Sequence, residues 1–519
     1  MNRDEMLRRL GDPSRVWDLV IIGGGATGLG VAVDAASRGY GVLLLERGDF
    51  AQGTSSRSTK LIHGGVRYLQ QGNVSLVLEA LRERGLLQQN APHLVRNLRF
   101  VVPSYEWWEA PFYGIGLKLY DILAGKLGFG PSRFLSKQET IERLPNLETE
   151  GLRGGVIYHD GQFDDARLAI SLAQTAVDQG ATLVNYAAVT DFQKTDGLIT
   201  GVVARDEEAG EARCIRARVV VNATGPFADA VRRMDDPATE PLISPSQGIH
   251  LVLDRAFLPG TEAIMVPHTA DGRIVFVIPW YDRVVVGTTD TGLESVVEEP
   301  RPRDEEIEFL LETSARYLIR DPRREDVRGV FAGIRPLVKD VEAEGTAAIS
   351  REHAVDVSVS GLVSIAGGKW TTYRKMAEDT VDTAAAVADL PERPCPTRTL
   401  RIHGYDPQSA RHGPLAVYGS DAPRLQKLIS EDPRCGEPLH PAFDVCAAQV
   451  VWAVRNEMAR TVADVLARRT RILLLDTRVS LDLAPQVAAL MAVELSRDAV
   501  WAAEQVRAFR ELAEPLLVS

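Results

Sequence analysis

The chain has 519 residues, enough for two or three domains around a large buried core. Its composition, 45% hydrophobic and 25% charged, is that of a globular protein rather than a disordered or fibrous one. A formal net charge of -12 argues against a nucleic-acid partner, which needs a basic surface, but leaves room for a local basic patch around a phosphorylated metabolite.

Residues 1–18 mix acids and bases and lack the profile of a signal peptide. Residues 17–46, WDLVIIGGGATGLGVAVDAASRGYGVLLLE, carry the sharpest local signal. An apolar run (Leu19, Val20, Ile21, Ile22) suits a buried parallel strand, and Gly23, Gly25 and Gly28 follow at GxGxxG spacing. A helical segment through Thr27 runs to Gly39, and a second apolar run from Val42 to Leu45 ends on Glu46. The first glycine permits a tight turn, the second lets a pyrophosphate approach bare backbone, and the third allows close helix–strand packing. Glu46 stands where a carboxylate accepts hydrogen bonds from an adenosine ribose, and it disfavours a 2′-phosphate. These features together predict a dinucleotide site.

The next stretch, RGDFAQGTSSRSTKLIHGGVRYLQQG, is a long polar loop beyond the carboxyl ends of the first two strands. It therefore lies over the crevice where open α/β sheets bind ligands. Arg47, Thr54, Ser55, Ser58, Lys60, Leu61, His63 and Gly64 are candidates to hold phosphates or a ring system there, and Arg67 and Tyr68 to meet a substrate. A merely solvated loop would not need Lys60, His63 and Arg67 so close together. TSSRSTKLIHGGVRYL, standing after a GxGxxG unit, resembles the signature of FAD-dependent glycerol-3-phosphate dehydrogenases. Further matches recur along nearly the whole chain.

Residues 73–89 place Leu76, Leu78, Leu81 and Leu86 at helical spacing, with charges over most of the remaining face, and read as a packed amphipathic helix. The aromatic stretch YEWWEAPFYGIGLKLYDILAGKLGFG interleaves Trp107, Trp108, Phe112, Tyr113 and Tyr120 with Lys118 and Lys126. It suits a membrane interface, an apolar electron-acceptor groove or an ordinary buried helix. Residues 154–165 read as a strand and turn feeding a helix from Asp164 or Asp165, and LAISLAQTAVDQGATLVNY as a helix and strand added to the nucleotide-binding sheet. Val189 is a candidate for backbone against the adenine. RVVVNATGPFAD reads as a buried strand whose end, Ala223, Thr224 and Gly225, meets the FAD by analogy with two-dinucleotide-binding-domain flavoproteins.

From Leu242 the pattern becomes β-rich alternation, with two strand-like runs flanking a turn at Tyr281 and Asp282, as expected of a sheet capping a flavin. The resemblance places His250 on a substrate-facing strand and Arg335, in FAGIRPLV with Gly333, toward the substrate. LVSIAGGKWTTYRKMAEDTVD reads as strand, glycine turn (Gly367, Gly368), Lys369, then a helix from Thr371 or Thr372. That helix N-terminus offers positive potential to a reduced flavin. A proline-rich segment near residue 390 marks a boundary, beyond which Val451, Val454, Met458, Val462, Val465 and Leu466 line one helical face. Arg460, Arg468, Arg469 and Arg471 read most simply as a solvated face of this last domain. Cys214, Cys395, Cys435 and Cys446 lack metal spacing and suit reduced thiols. No apolar run reaches the roughly 18 residues of a membrane-spanning helix.

The expected fold is α/β: an FAD-binding two-dinucleotide-binding-domain (Rossmann-like) fold with an antiparallel cap sheet and a C-terminal helical domain. The boundaries are 1–72, 155–235 and 330–389 for the FAD-binding domain, 73–154 and 236–329 for the cap, and 390–519 for the helical domain. The resemblance implies noncovalent FAD, oxidation of sn-glycerol 3-phosphate to dihydroxyacetone phosphate, and electrons passed to a membrane quinone by a cytoplasmic enzyme attached peripherally to the inner face of the cell membrane. It also allows a homodimer, and nothing suggests a metal. His250 is the first choice of base, with Tyr68 behind it, and Arg67, Arg335 and Lys369 are the candidate phosphate and oxyanion contacts. Alternatives are an oxygen-using oxidase of the same substrate, an amine or amino-acid dehydrogenase of the same superfamily, and a non-catalytic flavin-binding regulator.

Overall fold

The structure, a computed structural model, describes all residues except 13, 66–72, 268, 270–272, 340–351 and 519, together with the backbone alone at Lys126. Its first sheet orders strands His353–Val357, Leu362–Gly367, Ala212–Asn222, Val16–Ile22, Val42–Leu45 and Thr182–Val184. The last five run parallel, and Ala187–Thr195 and Leu198–Asp206 extend the Ala212–Asn222 strand as an antiparallel meander. Helices Ala26–Ser37, Asp165–Asp178 and Tyr373–Val387 pack together on this sheet. Strands covered on both faces need no polar side, so Val42–Leu45 is apolar throughout and wholly buried.

The second sheet has ten strands and is mostly antiparallel. It joins Leu61–Ile62, Val95–Ser104, Arg133–Ser136 and Gly154–Phe163 to the six strands from Ile243–Asp254 to Val327–Val338. The hairpin at Tyr281 and Asp282 forms as its alternation predicts. Gly154–Phe163 and Val327–Val338 pair within this second sheet, although the sequence boundaries group them with the first. Their buried runs look alike in either place; pairing with Val95–Ser104 and with Ile243–Asp254 decides which sheet they join.

The C-terminal unit contains helices Ala422–Glu431, Ala447–Glu457, Thr477–Glu494 and Ala499–Ala513. Its arginines are not a solvated face. Arg468, Arg469 and Arg471 are buried, and Arg460 is half-buried in an ion pair with Glu208 at 2.6 Å. Arg468 and Arg469 both hold Asp49, the latter with a second bond of 2.9 Å. Arg167, from the Asp165–Asp178 helix, makes a two-pronged contact to Glu457 at 2.8 Å per bond. A helical period cannot tell a solvated arginine from one facing a carboxylate four hundred residues away.

His403 adds a titratable clasp to this seam, its ring nitrogens 2.6 Å from Asp178 and 2.9 Å from Asp421. Burial works against its charge, but the two carboxylates hold its pKa up at about 9. A pKa raised on folding contributes stability that is complete below the unfolded value of about 6.5 and lost as pH rises through about 9. Thermal unfolding between pH 6 and 10 should therefore show a stability decline that His403→Gln flattens; an equal decline in both proteins would remove the clasp from the account.

Candidate active site

A cavity of about 500 Å³ lies where the two sheets meet, lined from both. At its nucleotide end Gly23 turns with φ of +106°, in the region that favours glycine. A Cβ on Gly28 would lie 1.9 Å from the Gly23 carbonyl oxygen, so the helix packs onto the turn only without one. Gly25 caps the Ala26–Ser37 helix, and the Ala26 N–H donates to Ser55 Oγ at 2.9 Å. Thr27 lines the cavity beside that helix end, whose backbone N–H groups suit an anion.

Glu46 accepts the Gly24 N–H at 2.6 Å on one carboxylate oxygen and the Gly48 N–H at 2.9 Å on the other. Burial raises its pKa, and these bonds pull the other way. Each oxygen keeps lone-pair capacity for a ribose hydroxyl. Val189, Ala223, Thr224 and Gly225 line the adjacent wall, where Arg47 stacks 4.3 Å over Phe227 and pairs with Glu298 at 2.7 Å. A glycine cradle at a helix end, with a carboxylate at the next strand end, fits FAD.

Pairing between Ile243–Asp254 and Val327–Val338 sets the other end. His250 faces Phe331, Gly248 faces Gly333, and Ser246 faces Arg335. The His250 ring stacks on Phe331 with centroids 4.8 Å apart, and it fits because Gly287 is the neighbour: a Cβ there would sit 2.1 Å from the imidazole. One ring nitrogen, Nε2, lies 2.8 Å from Thr59 Oγ1; Nδ1 has no hydrogen-bond partner among the described residues. Burial first, then the charges of Lys60 and Arg335, lower the His250 pKa well below that of free imidazole, so the ring is neutral.

Arg335 is clamped on the wall. Its guanidinium donates to the Thr289 carbonyl at 2.8 Å and Thr288 Oγ1 at 3.0 Å, and lies 3.4 Å from Asp290. Lys369 lines the same cavity between Gly368, whose φ is +76°, and Trp370, whose indole N–H donates to the Ser55 carbonyl at 2.9 Å. Thr54 Oγ1 donates to the Ile334 carbonyl at 2.6 Å, tying the polar loop to the second sheet.

The same wall also takes Ser55, Ser58, Leu61, His63 and Thr371. Four expected contacts lie behind it. Gly28 and Thr372 pack in the supporting helix ends, and the Gly64 N–H donates to Tyr120 Oη at 2.8 Å. Lys60 is the clearest departure: it is fully buried and paired with Asp165 at 2.7 Å, because its backbone, at φ of +66°, turns the side chain away from the cavity. Arg67 and Tyr68 lie outside the described residues. Sequence reasoning missed Phe227, Trp370, Asp165 and Asp290; of these only Trp370, adjacent to Lys369, carried a local signal.

Residues 18–374 match the family model described as FAD dependent oxidoreductase. Residues 358–502 match the C-terminal domain of alpha-glycerophosphate oxidase. The chain is 40% identical to the mitochondrial glycerol-3-phosphate dehydrogenase of Homo sapiens, an alignment covering 98% of this chain and 75% of that protein. Against the mitochondrial glycerol-3-phosphate dehydrogenase SDP6 of Arabidopsis thaliana it is 39% identical, with 98% and 91% covered. It is similar to the crystal structure of the glycerol-3-phosphate dehydrogenase from Bacillus halodurans complexed with FAD, with a TM-score of 0.80 and 30% identity over 99% of this chain and 97% of that one. The L-alpha-glycerophosphate oxidase of Mycoplasma pneumoniae, at 17% identity and a TM-score of 0.57, shares the fold.

The Gly28 contact gives a direct test of the cradle. Gly28→Ala should yield protein that binds FAD at least about tenfold more weakly, read as flavin absorbance per chain after gel filtration and by titration with added FAD. Full flavin content at wild-type affinity would mean that the turn does not hold the dinucleotide.

Proposed function

The chain belongs to the FAD-dependent glycerol-3-phosphate dehydrogenases, and from that premise we propose that it oxidises sn-glycerol 3-phosphate to dihydroxyacetone phosphate and delivers the electrons to a membrane quinone. The observation that carries the reading is a neutral, buried imidazole with Arg335 near it and Lys369 lining the same cavity.

FAD supplies the hydride acceptor when bound. The protein's own groups do the rest. The carbinol C–H cannot give up a hydride cleanly while its oxygen keeps a proton, so a base must take that proton as charge develops. His250 serves as this base, with Thr59 orienting its ring from Nε2. A pKa below the ordinary imidazole value keeps this base unprotonated through neutral pH, so the acid limb of activity lies below about 6.5. Arg335 and Lys369 hold the phosphate and the developing oxyanion. The Thr288, Thr289 and Asp290 contacts fix the Arg335 fork before substrate arrives, which lowers the ordering cost of binding.

The acceptor side rests on the Glu109–Ala124 helix. Beside and along it Trp107, Ile115 and Ile122 are 74%, 73% and 74% exposed, with Phe112 and Leu119 also exposed. No helix among the described residues is long and apolar enough to cross a membrane. An apolar helical face presented outward suits the headgroup boundary of a bilayer. This favours peripheral attachment at the inner face of the cell membrane and a quinone over oxygen. The match to a glycerophosphate oxidase C-terminal domain keeps the oxidase as the second reading.

Arg335→Ala should leave FAD bound while lowering kcat/KM for glycerol 3-phosphate by about a hundredfold; unchanged efficiency would take Arg335 out of the substrate site. For the acceptor, a soluble quinone analogue should reoxidise the reduced enzyme much faster than air does, and Trp107→Ser with Ile115→Ser should weaken sedimentation with anionic vesicles by about tenfold or more. Rapid peroxide formation with slow quinone reduction would favour the oxidase instead.

A further inference from the structure

Lys60 is fully buried, and its left-handed backbone is one that a lysine adopts only when its surroundings impose it. Its ammonium donates to the Ser56 carbonyl at 2.9 Å and Asp165 Oδ2 at 2.7 Å, and lies 4.7 Å from the Phe331 ring centre. Phe331 is the ring on which His250 stacks, and Thr59, the residue before Lys60, meets His250 Nε2. Asp165 is shared further. Oδ2 accepts the Ser58 hydroxyl at 2.7 Å, and Oδ1 accepts Arg471 Nη2 at 2.7 Å. Arg471, buried and supplied by the C-terminal unit, also donates to the Ser56 carbonyl at 2.8 Å and lies 3.6 Å from Asp164.

We propose that Lys60, locked between Asp165 and Arg471, is a positioning residue for the reaction: it fixes Thr59 against His250 and keeps positive charge behind that imidazole, so that the ring stays ready to take the substrate's proton. The proposal rests on His250 as the base. It gives the C-terminal unit a part in the chemistry, because Arg471 completes the lock. The charged groups facing Lys60 are Asp165, Asp164 and Arg471; those facing His250 are Lys60 and Arg335. Asp164 is engaged by Tyr281 Oη at 2.7 Å and so does not neutralise the ammonium alone. Burial, only partly offset by Asp165, lowers the Lys60 pKa to about 7, so the ammonium gains charge as pH falls, which is where protonation of His250 would otherwise begin.

The test uses the FAD-loaded full chain with 15N-labelled histidine, the His250 signals being assigned by their loss in His250→Gln. In Lys60→Met the His250 ring should bind a proton about tenfold more tightly, and the acid limb of kcat/KM for flavin reduction should move up with it. Lys60→Arg, which keeps the charge, should behave as wild type. If Lys60→Met does not fold, Lys60→Gln, which keeps a neutral hydrogen-bond donor to Asp165, should give the same tightening. An unchanged His250 titration in the variants would overturn the proposal. An acid limb that persists in His250→Gln would instead overturn His250 as the base, while the ring titration still reads the Lys60 charge.

Discussion

One buried carboxylate, Asp165, joins the first-sheet helix, the polar loop over the cavity and the C-terminal unit. It begins the Asp165–Asp178 helix of the first sheet, accepts Ser58 and Lys60 from the polar loop over the cavity, and accepts Arg471 from the C-terminal unit. Burying an ionised carboxylate costs free energy unless its lone pairs are taken, and here two cations and a hydroxyl take them. Its pKa falls below the ordinary value because Lys60 and Arg471 outweigh the cost of burial. The loop bearing Thr54, Ser55 and Thr59 is thereby held at a fixed height over the cavity, with Thr59 against His250.

A consistent electrostatic division follows. Behind the wall, cations are matched by carboxylates: Lys60 and Arg471 by Asp165, Arg468 and Arg469 by Asp49, Arg167 by Glu457. On the wall, Arg335 stands near a neutral imidazole and Lys369 lines the same cavity. The matched layer keeps the loop and the C-terminal unit in register with the working layer.

The first strand–helix–strand unit is legible because its signals are local: apolar runs, glycines at fixed spacing and a carboxylate at a strand end are properties of thirty consecutive residues. His250 and Arg335 became candidates through family resemblance, since nothing in their own strands sets them apart from core positions. What brings them together is an antiparallel register between strands about eighty residues apart. Lys60 was misplaced for the opposite reason. A lysine in a polar loop reads as a ligand contact, and only a carboxylate 105 residues onward explains why it turns inward. The arginines after residue 460 read as solvated for the same reason, because helical periodicity carries no information about a partner from another unit.

In the proposed function this cavity joins a hydride acceptor to a substrate alcohol, which is checked by adding glycerol 3-phosphate to the yellow FAD-loaded protein without oxygen and following its visible absorbance. The flavin should bleach rapidly, in a way that saturates with glycerol 3-phosphate, and should stay yellow with glycine or proline. A flavin spectrum unchanged by glycerol 3-phosphate, or bleached by an amino acid instead, would rule out this function.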